Sequence, residues 1–282
     1  MGINIQDVSF TYNKKTGFLF DNLNLQIAST DEFITIIGTT GSGKSTLAQL
    51  LNALLLPTKG NIYINDYKIK PKNNKNLKNV RKDVGFVFQF PEYQLFEDTV
   101  LKDVMFGPLN FKVKYGQAKE QAMSALKELN FKDSLINRSP FTLSGGEKRL
   151  ASIAGTLAIN PNIIIFDEPT VGLDYKAKED LLSIIEKLNK VEHKTVIFIT
   201  HDMDVVAKYA KRVIVLNNGN VSFDGTKEDL FNNSQLLFDN NLSVPYISKI
   251  AIELKKLGLI NYDQIPLTVD ELEKIIRGGR NE

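Results

Sequence analysis

Gly38-Thr39-Thr40-Gly41-Ser42-Gly43-Lys44-Ser45-Thr46 decides the fold. It follows an unbroken apolar run, Phe33 to Ile37, and precedes leucines at helical spacing, Leu47, Leu50, Leu51 and Leu54. A strand, a glycine-rich loop and a helix in that order, with G-x-x-x-x-G-K-[ST] spacing, make a phosphate-binding P-loop. Glycines let consecutive backbone N–H groups curl around phosphate oxygens, and the helix start adds partial positive charge. In such a loop Lys44 reaches the β- and γ-phosphates and the Ser45 hydroxyl ligates Mg²⁺. Gly38 to Thr46 are therefore candidate nucleotide-binding residues, with Lys44 a candidate catalytic residue and Ser45 a candidate metal ligand. A Gly/Ser linker would match this spacing by accident in about one chain in a hundred of this length, and a linker has no reason to join a strand to a helix.

The runs around the loop describe its setting. Val84 to Phe88, Ile163 to Phe166, Val196 to Ile199 and Val213 to Leu216 are continuously apolar, as parallel strands covered on both faces are. Ile3 to Phe10 alternates instead, and Ile62-Tyr63-Ile64 is set off by Gly60 and Asn65-Asp66; both suit a half-buried antiparallel sheet. Ala122, Ala125, Leu126 and Leu129 repeat at helical spacing, and Lys70 to Lys82, rich in Lys and Asn, reads as an exposed connection. The sum is an α/β layered core with a small antiparallel sheet attached. Beyond Leu230 the pattern changes: Ile247 to Leu257 is helical, and Thr268 and Glu271 have capping-box spacing ahead of Leu272, Ile275 and Ile276.

Two further motifs carry chemistry. Ile163-Ile164-Ile165-Phe166-Asp167-Glu168-Pro169 is a buried strand ending in two carboxylates. Ligands bind at the carboxyl ends of strands in open α/β sheets, so Asp167 is placed to hold the Mg²⁺ shell and Glu168 to polarise an attacking water. A solvated strand end would account for two carboxylates, but not beside a P-loop. Leu143-Ser144-Gly145-Gly146-Glu147 precedes the helical run Ile153, Ala154, Leu157, Ala158. A capping box explains Ser144 and Glu147. It does not explain paired glycines, which make sense where a phosphate approaches the backbone.

Composition narrows the function classes. The 282 residues contain 35 Lys+Arg against 33 Asp+Glu and no Cys, which excludes a disulfide scaffold, a Cys-ligated zinc and an iron–sulfur centre. A net charge of +2 makes no electrostatic case for nucleic acid. The longest uncharged stretch, Leu150 to Phe166, is interrupted by Asn160-Pro161-Asn162 and falls short of the ~20 apolar residues of a membrane span. The N-terminal residues lack a basic then apolar segment, and residue 6 is Gln, so neither a signal peptide nor N-myristoylation is expected. Any membrane role is expected to come through a partner.

Together, the P-loop, Leu143 to Glu147, Asp167-Glu168 and the downstream His201 resemble the ATP-binding-cassette ATPases over roughly residues 1 to 230. The resemblance implies a P-loop NTPase core with an antiparallel β subdomain and a helical signature subdomain. It divides the chain into a nucleotide-binding domain, 1–230, and a helical C-terminal extension, 231–282. It also implies roles: Gln89 as the Q-loop glutamine that touches Mg²⁺ and nucleotide, and Gly172-Leu173-Asp174 as the D-loop. His201 becomes the switch histidine on the γ-phosphate, and Tyr12 the aromatic that stacks on adenine. A buried structural histidine is the alternative for His201, and an ordinary exposed strand-end Tyr for Tyr12. ATP and Mg²⁺ are the implied cofactors. In this family ATP on one subunit's P-loop meets Ser144-Gly145-Gly146 of a second subunit. The chain departs from the family in one place, with Glu147 where Gln is usual. A carboxylate aimed at a triphosphate would be repelled, so Glu147 is expected to turn back onto its own helix start.

A closer resemblance follows Gln89. Phe90-Pro91-Glu92-Tyr93-Gln94-Leu95-Phe96-Glu97-Asp98-Thr99-Val100, then Asp103-Val104 and Phe106-Gly107-Pro108, is similar to the energy-coupling-factor (ECF) transporter ATPases, in the second of their two subunit types. That implies a peripheral subunit on the cytoplasmic side of the cell membrane, paired with a second ATPase subunit as a heterodimer or homodimer. It implies docking to a membrane scaffold (T) subunit through Phe90 to Gly107, an indirect link to a substrate-binding (S) subunit, and uptake of vitamins or related micronutrients. The tail would add contact between the ATPase subunits. Phe90, Tyr93, Leu95 and Phe96 could instead be core residues. The rivals are an ATPase of another transporter class, a soluble cassette acting on DNA or ribosomes, and a small-molecule kinase. The stretch from Lys44 to Leu143 is too short for the coiled-coil insertion of DNA-repair types, ribosome types carry two cassettes, and kinases lack Leu143 to Glu147.

Overall fold

The computed structural model describes residues 2–13, 15, 17–28, 32–72 and 75–278. In chain order the strands are β1 (Gly2–Phe10), β2 (Phe20–Ala28), β3 (Phe33–Gly38), β4 (Lys59–Ile64), β5 (Tyr67–Ile69), β6 (Val84–Val87), β7 (Ile163–Asp167), β8 (Thr195–Ile199), β9 (Arg212–Asn217) and β10 (Asn220–Thr226). The helices are α1 (Lys44–Leu51), α2 (Leu77–Asp83), α3 (Val100–Asn110), α4 (Tyr115–Glu128), α5 (Gly145–Leu157), α6 (Tyr175–Lys190), α7 (Met203–Tyr209), α8 (Lys227–Asn232), α9 (Ser234–Asp239), α10 (Tyr246–Lys256) and α11 (Val269–Gly278). Strands β10-β9-β3-β8-β7-β6 form one sheet, parallel from β9 to β6 with β10 antiparallel at its edge. A second, antiparallel sheet has the order β2-β1-β4-β5.

Successive side chains of a strand point to opposite faces, and in the large sheet both faces are buried. Ile34, Ile36, Ile163, Ile165, Ile197 and Ile199 turn to one side. There they pack with Leu47, Leu50 and Leu51 of α1 and with Ile3, Ile5 and Ile62 of the antiparallel sheet. Phe33, Ile164, Phe166, Val196 and Phe198 turn to the other. They meet Val104 of α3, Leu126 of α4, Ala151 and Ala154 of α5, and Leu181 and Ile185 of α6. Toward β9 the second face continues: Ile37, Val213 and Val215 pack with Val206 of α7, Leu230 and Phe231 of α8, Leu237 of α9, and Leu267. The chain beyond Leu230 thus lies on the same sheet. Each fully buried Leu or Ile side chain contributes roughly 1.5–3 kcal/mol. The consequence for function is positional, because α1 and α5 are anchored to opposite faces.

Two details differ from the sequence expectations. Leu54 continues the apolar spacing of α1, but the helix ends at Leu51, Ala53 takes a left-handed φ of 55°, and Leu54 is left exposed. The Lys70 to Lys82 stretch is mostly exposed, as expected, though residues 73 and 74 fall outside those described. It also contains α2, whose Val80 is buried in the core of the first face. Among the described residues no helix is long and apolar enough to cross a membrane.

Candidate nucleotide site

The loop after β3 needs glycine at two places for steric reasons. Gly38 has φ 147°, and a Cβ there would lie 2.1 Å from the Leu216 carbonyl oxygen. Gly43, the N-cap of α1, has φ 107°, and a Cβ would lie 2.7 Å from the Phe20 ring. The chain between them curls so that Lys44 folds back over it, its Nζ donating to the carbonyls of Gly38 at 2.8 Å and Thr39 at 2.9 Å. Burial lowers the Lys44 ammonium's pKa, with Glu168 and then Asp167 pulling the other way.

Strand β7 delivers the two carboxylates to the rim. Asp167 is buried and pairs in register with Ile199 of β8. Burial raises its carboxyl pKa, opposed by a hydrogen bond from the Ser45 hydroxyl, reinforced by the charge of Glu168, and opposed again by Lys44. The structure thus joins Ser45 to Asp167, two of the three residues read as metal ligands, the third being Gln89. Glu168 has a left-handed φ of 51°, and its amide donates to the Ile199 carbonyl at 3.0 Å. Such a backbone costs on the order of 1–3 kcal/mol and persists at functional sites. Its Oε1 lies 2.9 Å from His201 Nδ1, and its Oε2 is buried without a protein partner. The His201 side chain is 72% exposed, so the buried structural alternative is excluded.

The remaining candidates fall into two groups. Tyr12 is exposed, packs edge-on against Phe10, and its hydroxyl lies 2.9 Å from Thr46 Oγ1, beside the start of α1. Gln89 is exposed two residues past β6, whose Val87 is in register with Phe166 of β7. Thr39 to Ser42 and Gly43 form the loop itself. Lys44, Ser45, Thr46, Asp167, Glu168 and His201 therefore converge at the ends of neighbouring strands. Ser144, Gly145 and Gly146 do not join them, because they open α5 on the other face. Ser144 and Glu147 form a full capping box: Ser144 Oγ accepts from the Glu147 amide, and Glu147 Oε2 accepts from the Ser144 amide at 3.0 Å and hydroxyl at 2.9 Å. The Ser144 amide is the first cause holding the Glu147 carboxyl below its ordinary pKa. Glu147 turns back onto its own helix start, as expected. A Cβ on Gly145 or Gly146 would meet nothing within 4 Å, so this chain's own packing does not require glycine there. Asp174 caps α6, accepting from the Ala177 amide at 2.8 Å.

One residue of the region escaped the sequence reading. Arg149 of α5 is 4% exposed and links Glu92 to the carbonyls of Pro169 and Val171. Its partners lie 57, 20 and 22 residues away, beyond any local pattern. Arg in a chain whose positive charge is mostly Lys was the available signal.

Comparisons with known proteins identify the family. The family described as ABC transporter matches residues 20–171. The energy-coupling factor transporter ATP-binding protein EcfA2 of Latilactobacillus sakei subsp. sakei (strain 23K) is 43% identical, with 100% of both chains covered. The EcfA2 of Caldanaerobacter subterraneus subsp. tengcongensis is 42% identical with the same coverage. The chain belongs to the energy-coupling factor ATPases of the ABC transporter family. This ATPase also superposes on cbiO1 from Clostridium perfringens, part of the ABC transporter complex cbiONQ, with a TM-score of 0.73, 30% identity, and 91% and 96% of the two chains covered. Its match to MJ0796, solved as a dimer in a post-hydrolysis state bound to ADP and Pi, has a TM-score of 0.71, 34% identity, and 79% and 98% covered. The chain is thus an ATP hydrolase coupled to transport.

Proposed function

We propose that this ATPase powers uptake of vitamins or related micronutrients by closing, in an ATP-dependent way, against a second ATPase subunit and moving a membrane scaffold. The observation that carries the reading is the separation of the P-loop and the Ser144-Gly145-Gly146 helix start onto opposite faces of one sheet. Neither half can enclose a triphosphate alone. Two molecules in opposite orientation put each P-loop against the other's α5, and the open, side-chain-free surface of Gly145 and Gly146 suits a close phosphate. That MJ0796 is a dimer in its ADP- and Pi-bound state supports a reading with two molecules.

The donor set fits Mg²⁺. Ser45 and Asp167 are hard oxygen ligands already in contact, and Mg²⁺ is usually held by one or two carboxylates plus phosphate oxygens and waters. When bound, the ion neutralises charge on the β- and γ-phosphates. Within the site, Lys44 binds those phosphates, Glu168 orients and deprotonates the attacking water, and His201 holds the Glu168 carboxylate from the solvent side. Gln89, Tyr12 and Asp174 take the nucleotide contacts that the family resemblance gives them. Closure depends on the γ-phosphate because only the triphosphate bridges both molecules. Moving an equilibrium from 1:99 to 99:1 takes about 5.5 kcal/mol, within reach of several charge-assisted bonds at ~1.5–3 kcal/mol each.

The segment after Gln89 would meet the scaffold on the cytoplasmic side of the cell membrane. Phe90, Tyr93, Phe96 and Phe106 are exposed, and Phe96 packs edge-on against Phe106 at 4.9 Å, while Leu95 is a core residue. The test is uptake by the native complex in lipid vesicles. Vitamin or metal-ion accumulation should require ATP and vanish in Glu168→Gln; accumulation independent of ATP overturns the reading.

A further inference from the structure

We propose that Arg149 is a positioning residue that couples the catalytic loop to the docking segment, an inference that rests on the function proposed above. Its guanidinium is the meeting point of three pieces of chain. Nε donates to Glu92 Oε2 at 3.3 Å and Nη2 to Glu92 Oε1 at 3.1 Å, a two-pronged pair with side chains only 5% and 17% exposed. Nη1 donates to the Pro169 carbonyl at 3.1 Å and the Val171 carbonyl at 2.7 Å. Glu92 stands in the turn Pro91–Gln94, between Phe90 and Phe96 of the exposed apolar segment. Pro169 and Val171 follow Glu168, and the Val171 amide donates back to the Glu168 carbonyl at 3.3 Å. Arg149 itself lies on α5, in the turn after the Ser144 cap.

Any movement of the Glu168 loop therefore pulls on carbonyls that share one rigid planar group with Glu92. Ser152, also on α5, adds a second tie to the turn through its hydroxyl and the Pro91 carbonyl at 2.6 Å. Beside this link a pocket opens between α5 and α6, whose inner faces share the core. A cavity of about 370 Å³ separates Gly146, Arg149 and Leu150 from Leu173, Ala177 and Leu181. Lys could keep the charge but not the fork that serves a carboxylate and two carbonyls at once.

Hydrogen exchange on the full chain in its native complex, with and without Mg-ATP, reads the link. Residues 38–46 report nucleotide binding. Residues 90–99 report the docking segment, where the Phe96 and Glu97 amides are held by Asp103 Oδ2 at 2.8 Å each. In the natural protein ATP should slow or alter exchange in both. In Arg149→Lys, and separately in Glu92→Gln, ATP should still protect 38–46 while the change at 90–99 shrinks at least about threefold. Should Arg149→Lys fail to fold, Glu92→Gln, which keeps the side chain's shape, carries the test. A full-sized ATP response at 90–99 in the folded variants, or none in the natural protein, overturns the coupling role. Absence of protection at 38–46 in the natural protein would instead sink the nucleotide reading on which it rests.

Discussion

Glu168 joins a left-handed backbone, a bond to exposed His201 and a buried oxygen without a protein partner. That combination suits a carboxylate waiting for a water. Glu168→Gln should still bind ATP while hydrolysis, followed by phosphate release, falls on the order of 10²–10⁴-fold; undiminished hydrolysis would reject it as the water-activating group. Lys44 now spends its ammonium on the carbonyls of Gly38 and Thr39, bonds that phosphate oxygens would replace. Removing it in Lys44→Ala should weaken ATP binding about tenfold or more, the equivalent of one charge-assisted bond; titration with a fluorescent ATP analogue measures this. The chemistry-bearing residues were legible because the P-loop and the strand-end carboxylates are local patterns. Arg149 was not, since its partners are brought to it by the tertiary fold.

At the scale of elements, the parallel strands were legible from their continuous apolar runs, because both sheet faces are covered. Helix α2 was not, since one buried residue, Val80, in a Lys/Asn-rich stretch gives no periodicity. Nor could hydrophobicity separate Leu95, which is core, from Phe90, Tyr93 and Phe96, which are exposed. Phe96→Asp should therefore leave the melting temperature nearly unchanged and reduce capture of the chain by the proposed membrane scaffold; undisturbed capture would assign this surface elsewhere. The contact between the end of α4 and the chain after α6 gives a pH effect. Burial, then a hydrogen bond that the protonated carboxyl donates to Glu192 and the charge of Glu192, push the Glu128 carboxyl up to about 7, against the pull of Lys187 and Lys194. The folded chain then holds a proton that the unfolded chain has released, so this contribution is present at acidic pH and lost as pH rises through about 7. Melting temperatures at pH 5.5 and 8 should show a drop on going to pH 8 that shrinks in Glu128→Gln; equal drops in both would contradict it.

At the scale of the molecule, the extension is part of the fold. Leu230, Phe231, Leu237 and Leu267 share a core with Val213 and Val215, Tyr246 N donates to Asp204 Oδ1 at 2.7 Å, and Ser248 Oγ donates to the Pro266 carbonyl at 2.7 Å. A subunit contact by the tail must therefore come from what it leaves exposed, Leu257 and Leu259 among them. Truncation would damage the core, so point changes are the sharper probe. The same sheet that holds the tail keeps the P-loop and α5 on separate faces, and the proposed two-molecule site rests on this. Small-angle scattering on Glu168→Gln paired with its companion ATPase tests it most directly. ATP-dependent closure predicts a more compact particle with Mg-ATP than with Mg-ADP. Identical scattering in the two nucleotides, with both shown to be bound, would contradict it.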